Sequence, residues 1–236
     1  MLNSELFLTA FNKIEKYLRR ITEKDKGTKF YNMVDIASRS SPMVKHFKID
    51  LKEFADLRNA IVHERTDEHV LAEPNDRVVI EIENIFLQLT NPPKIIPTFK
   101  TDVYSLNEND FVANAVEHMY KNDFSQIPIY MNNGQMKLLT NNTISRWLGA
   151  CVEDDVFSLY EIKIKDVLKY SEENENFRFM DRNRNYFEVL EQFNSFEKNG
   201  KRLEAILITH SGKKSEKLLG IITIWDLTKI YQNLNI

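Results

Sequence analysis

Two short polar pairs, each read as the start of a helix, hold the most suggestive chemistry in this chain. Thr223-Ile224-Trp225-Asp226 follows the apolar run Leu218-Leu219-Gly220-Ile221-Ile222. The run reads as a strand and the pair as the opening of the next helix. Asp226 can accept hydrogen bonds from both hydroxyls of a ribose. Thr223 and the adjoining helix N-terminus can meet a phosphate. Plain helix capping would use the same two residues. A looser copy precedes it, Leu138-Leu139-Thr140-Asn141-Asn142-Thr143. There Thr143 stands in place of the aspartate and Lys137 in place of the glycine, so hydroxyls are offered without a carboxylate. The apolar segments Ile127-Pro128-Ile129-Tyr130 and Ala205-Ile206-Leu207-Ile208 are candidates to flank a flat base.

A second constellation lies earlier, in Arg58-Asn59-Ala60-Ile61-Val62-His63. His63 could move a proton at a ribose hydroxyl or a leaving oxygen. Arg58 could hold charge on a phosphate. On a helix, residues five apart point about 140° apart, whereas Asn59 and His63, four apart, nearly share a face. A working site is therefore easier to build across two copies of the helix. The structural alternative is equally concrete: His63 at a helix end, Arg58 paired with Glu53 or Asp56, and Asn59 bonded to another helix.

The elements that must position these groups fall into two grammars. Residues 1–91 read as a small helical bundle: stripes run through Phe7, Ala10, Phe11, Ile14, Leu18 and Ile21, through Phe30, Met33, Val34 and Ala37, through Phe54, Leu57 and Ile61, and through Val78, Ile82, Ile85, Phe86 and Leu89. Ser40-Ser41-Pro42 interrupts the pattern, and Asn91-Pro92-Pro93 ends it, because proline cannot continue a helix. From there the order becomes strand, helix, strand, turn, strand, helix, twice over. Val103-Tyr104 is expected as an extended lead-in, and Asn132-Asn133-Gly134 as the turn of a hairpin. The expected domains are 1–91, a first repeat over 92–163 and a second over 164–236, which makes an α+β protein.

Composition excludes several classes. The chain has 236 residues and a formal net charge of −3, so no overall basic field draws in nucleic acid. Cys151 is the only cysteine, which rules out an intrachain disulfide and suits a reducing cytoplasm. Glu5 and Lys13 break any leader-like apolar run, and no stretch has the roughly 20 apolar residues of a membrane span. Metal-ligand spacings, glycine-rich phosphate loops and a serine nucleophile elbow are absent. Trp147 and Trp225 are both expected in a core or an interface.

Residues 92–236 resemble a tandem pair of CBS domains. Asn122-Asp123-Phe124-Ser125-Gln126-Ile127-Pro128-Ile129-Tyr130 is similar to the strand before that family's hairpin, and Gly220-Ile221-Ile222-Thr223-Ile224-Trp225-Asp226 to its G-h-h-T-x-x-D signature, with h hydrophobic. The resemblance implies two β-α-β-β-α repeats packed through their sheets and a cleft for AMP, ADP, ATP or another adenosyl compound, with no cofactor required. The better cleft would hold Thr223 and Asp226. The resemblance also implies a homodimer. Arg58-Asn59-x-x-x-His63 resembles the R-N-x-x-x-H motif of HEPN domains, small helical bundles that often dimerise and often cut RNA without a metal. Together the two imply a cytoplasmic regulatory protein whose ligand state controls a helical output domain. The alternatives are a ligand-gated, metal-independent ribonuclease and an interaction module that binds no ligand.

Overall fold

A computed structural model describes residues 2–25, 27–63, 65–66, 69–70, 72–152, 158–172 and 176–234, with backbone alone at 63, 65, 66, 69 and 70. The chain divides into two compact units: Met1–Pro93 with Asn185–Glu191, and Lys94–Arg184 with Gln192–Ile236.

In the first unit, helix α1 (Asn3–Thr22) buries Phe7, Ala10, Phe11, Ile14 and Leu18 of the stripe expected from the sequence, but Ile21, in its last turn, is exposed. It stops at Glu23, whose φ of 53° is left-handed. Helix α2 (Phe30–Ala37) is followed by α3 (Pro42–His46). The interruption at Ser40-Ser41-Pro42 is therefore also a start: the Ser41 hydroxyl accepts from Val44 N–H at 3.4 Å, and Pro42 sits at the first helical position, where its missing N–H costs nothing. Helix α4 (Lys48–His63) begins earlier than its apolar stripe suggests, and the two-residue strands β1 (Arg65–Thr66) and β2 (His69–Val70) pair antiparallel behind it. Helix α5 (Asp76–Thr90) is capped by Asn75, whose side chain accepts from Val78 N–H at 3.1 Å, and it buries Val79, Ile82, Ile85 and Leu89, while Val78 and Phe86 of the expected stripe are half-buried. Aromatic rings knit the bundle: Phe7 meets Phe54 edge-on at 5.8 Å, and Phe11 stacks on Phe30 at 4.5 Å. Phe187, from the later segment of this unit, meets Phe47 edge-on at 5.4 Å.

The second unit repeats one arrangement. Strand β3 (Leu106–Asn107), helix α6 (Val112–Asn122), strands β4 (Gln126–Tyr130) and β5 (Met136–Thr140) and helix α7 (Asn141–Ala150) form the first repeat, followed by the short helix α8 (Ile164–Val167). Strand β6 (Phe177–Asp181), helix α9 (Tyr186–Lys198, of which residues 186–191 belong to the first unit), strands β7 (Ala205–Thr209) and β8 (Gly220–Thr223) and helix α10 (Leu227–Leu234) form the next. The sheets are ordered β3-β4-β5 and β6-β7-β8, each with a parallel then an antiparallel pair. Val103-Tyr104 is irregular, and the parallel strand falls just after it, at Leu106–Asn107.

Strand parity sorts the side chains into two cores. Ile127, Ile129 and Leu139 join Val112, Met119, Trp147 and Val167 on the helix side of the first sheet. Met136 and Leu138 on the other side join Phe177, Ala205, Leu207 and Leu218. The two sheets thus pack face to face. The architecture is α+β: a helical unit, then two β-α-β-β-α repeats packed through their sheets.

Candidate functional site

A cavity of about 500 Å³ opens within the second unit. Three segments line it: residues 98–104, the stretch from Asp123 to Pro128, and the end of β8 with the helical turn beyond it. The first is irregular chain, and Gly220 is what lets it come close. Thr101 N–H donates to Leu219 O at 3.0 Å, and a side chain at Gly220 would run into the carbonyl of Phe99. The glycine of the G-h-h-T pattern therefore makes room for one wall of the cavity.

Thr223 and Asp226 stand on the opposite wall. The Thr223 N–H donates to Asp226 Oδ2 at 2.8 Å, and the Thr223 hydroxyl reaches the same oxygen at 3.0 Å. Both residues are half-buried. Both bonds converge on Oδ2 and hold the carboxylate against the helix start. Lys229, one helical turn further on, also borders the cavity, with its ammonium 5.3 Å from the centre of the Phe99 ring. Lys100 adds a second cation, while Asp102 and Asp123 are further carboxylates. Phe99, Tyr104, Phe124 and Trp225 supply rings.

The first repeat treats the same positions differently. Thr140 Oγ1 and Thr143 Oγ1 lie 3.0 Å apart, Thr143 N–H donates to Thr140 Oγ1 at 3.1 Å, and both residues are buried. The two hydroxyls satisfy each other and the helix start. Thr143 borders a smaller cavity of about 230 Å³, together with Lys137, Glu172, Phe177 and Lys214.

The base-flanking residues expected from the sequence separate. Pro128 reaches the large cavity with Thr223 and Asp226. Ile127 and Ile206 are fully buried and line neither of these cavities. Their parity in the pleat is the reason: neighbours on one strand point to opposite faces, and Ile127 points into the helix-side core. Trp147 is in a core as expected, but Trp225 is 81% exposed on the rim of the large cavity. Sequence reasoning also passed over Lys100, Lys229, Tyr104 and Phe124. Lys229 carried a usable signal, since three residues beyond Asp226 it shares that side of the helix. Residues 98–104 had no periodic pattern to point to them.

In the helical unit, Arg58 Nη1 donates to Asn59 Oδ1 at 3.3 Å on the outside of α4. Asp56, a possible partner of Arg58, instead accepts from the Tyr31 hydroxyl, and that bond raises the Tyr31 pKa. His63 ends α4, and its side chain lies outside the described residues. Among the described residues no cluster could hold a metal ion, and no helix is long and apolar enough to cross a membrane.

The CBS domain family matches residues 98–139, from the irregular cavity wall through most of β5. No curated protein matches the chain. Among solved structures, a putative acetoin utilization protein from Vibrio cholerae is 15% identical over 60% of this chain and 92% of its own, with a TM-score of 0.44. A putative signal-transduction protein with CBS domains from Burkholderia ambifaria is 17% identical over 54% of this chain and 81% of its own, with a TM-score of 0.39. A hexameric CBS-CP12 protein from bloom-forming cyanobacteria is 13% identical over 58% of this chain and 67% of its own, with a TM-score of 0.42.

Proposed function

We propose that this CBS-domain-containing chain is a regulatory protein that senses an adenine nucleotide or a related adenosyl compound in the cavity beside Asp226. The observation that carries the reading is the carboxylate itself. Thr223 occupies one oxygen with two hydrogen bonds, and Asp226 lines a cavity of about 500 Å³. A ribose diol needs an acceptor of this kind. Lys229 and Lys100 offer cations for a phosphate, and the rings offer faces for a base.

Ligand binding would bias the arrangement of the two repeats only through a difference in affinity between arrangements. Seven consecutive lining residues, 98–104, begin five residues after Pro93, where the chain leaves the helical unit. Occupancy of the cavity therefore acts on the segment leading back to that unit, which we assign as the output domain. We assign the chain to domains 1–91, 92–163 and 164–236, place it in the cytoplasm and take it to work as a homodimer. The last point is tested by light scattering after gel filtration with and without AMP.

Calorimetric titration with AMP, ADP, ATP and S-adenosylmethionine tests the main reading. Saturable binding of at least one is expected, and silence from all four at millimolar concentration overturns it.

A further inference from the structure

Two of the rings on the large cavity, Tyr104 and Phe124, share a support that is not itself part of the lining. The His118 imidazole stacks on Tyr104 with 3.4 Å between ring centres and 7° between planes. It also meets Phe124 at 5.6 Å, tilted by 53°. Phe124 is brought there by the end of α6. Asp123 takes the left-handed conformation with φ 55°, and Phe124 N–H donates to Met119 O at 3.0 Å. Tyr104 and Phe124 remain 39% and 48% exposed, so each is braced by the imidazole and still open to the cavity side. His118 Nε2 is buried and, among the described residues, has no hydrogen-bond partner. Its role at this place is that of a flat ring.

We propose that His118 is a positioning residue: by bracing Tyr104 and Phe124 it sets an aromatic wall that receives the flat base of the ligand. The inference rests on the adenosyl-sensor reading and deepens it, since it divides recognition between two walls. Asp226 and Lys229 take the ribose and phosphate, and the braced rings take the base. A residue that only stabilised the fold would affect every ligand alike, whereas the wall acts only on ligands that carry a base.

The test titrates AMP, adenosine and ribose 5-phosphate into wild type, His118→Ala, His118→Leu and His118→Phe, with melting temperatures measured beside them. His118→Ala and His118→Leu are expected to weaken AMP and adenosine about tenfold and to leave ribose 5-phosphate within about twofold. His118→Phe, which keeps a planar ring, is expected to restore AMP binding to within about twofold. The leucine variant keeps the volume filled, so the comparison survives if the alanine variant fails to fold. Equal losses for all three ligands, or unchanged AMP affinity in His118→Leu, overturn the inference and leave the sensor reading in place. No binding of AMP or adenosine by wild type overturns the inference, and silence from ADP, ATP and S-adenosylmethionine as well overturns both.

Discussion

The two repeats have the same order of elements and end their hairpins on the same kind of polar pair, yet they treat it in opposite ways. In the first, Thr140 and Thr143 bond each other and both are buried, with Thr143 bordering only the smaller of the two cavities described. In the next, Thr223 gives both of its donors to a single oxygen of Asp226, and the pair stays open to a cavity. The difference is one functional group. A hydroxyl can be satisfied by another hydroxyl, whereas a carboxylate has more acceptor sites than one threonine can fill. The glycine position follows suit. Gly220 admits the backbone of Phe99, while Lys137 carries a side chain at the corresponding place. One copy of the unit is built as a cap, the other as a cap that also forms a wall.

The largest effect is expected where the walls meet. Gly220→Ala should cost about 3 kcal/mol, because the added carbon collides with a backbone carbonyl rather than a movable side chain. Lys137→Ala should stay within about 0.5 kcal/mol. Urea unfolding of both variants measures the contrast, and equal costs would break it. Asp226→Ala should weaken AMP binding at least tenfold, the loss of a charge-assisted acceptor worth about 1.5–3 kcal/mol. Thr143→Ala should leave AMP affinity unchanged. Matching losses in the two variants would mean that the first repeat binds as well.

Thr140→Val and Thr223→Val sharpen the comparison further. Each removes a helix-start hydroxyl and should cost about 1 kcal/mol of stability. Only Thr223→Val should also weaken AMP, by about threefold to fivefold, because it removes one of the two bonds that hold the Asp226 carboxylate. A competition titration separates the two outcomes.

The smallest effect concerns the hairpin loops. The first repeat turns tightly at Asn133-Gly134, with Gly134 at φ 76°. The next uses a longer loop in which Glu216 accepts from both the N–H and the hydroxyl of Ser211. These bonds hold its carboxyl far below the usual carboxylate range, at about 2. A depressed folded-state pKa contributes stability above the unfolded value and loses it as pH falls through the folded one. Wild type should therefore exceed Glu216→Gln in melting temperature near neutral pH, with the gap closing between about pH 4.5 and pH 2. A gap that does not change with pH would remove the loop from the comparison.

Much of this fold was legible in the residues. The helical stripes of α1, α4 and α5, the Asn-Asn-Gly hairpin and the Thr140 cap follow from period, turn chemistry and capping. Three things were not. Helix α3 hid behind a serine-proline interruption that serves equally as a stop and a start. The face taken by Ile127 and Ile206 was hidden because β4 and β7 are covered on both sides. Their apolar runs are nearly continuous, and alternation cannot say which side is which. The irregular wall at residues 98–104 has no period at all.

By itself the sequence determined the local units: where helices start, which hairpin turns tightly, and that one polar pair has a carboxylate and the other does not. These depend on neighbours within a few residues, through steric limits and short hydrogen bonds. Only the tertiary structure decided which groups share the cavity. That depended on the packing of two sheets against each other, which brought Pro128 and Tyr104 from one repeat to Asp226 and Lys229 of the other and turned Ile127 and Ile206 away. The physical reason is that a strand covered on both faces carries no mark of which face will meet the cleft. That choice is made by contacts between segments more than 90 residues apart.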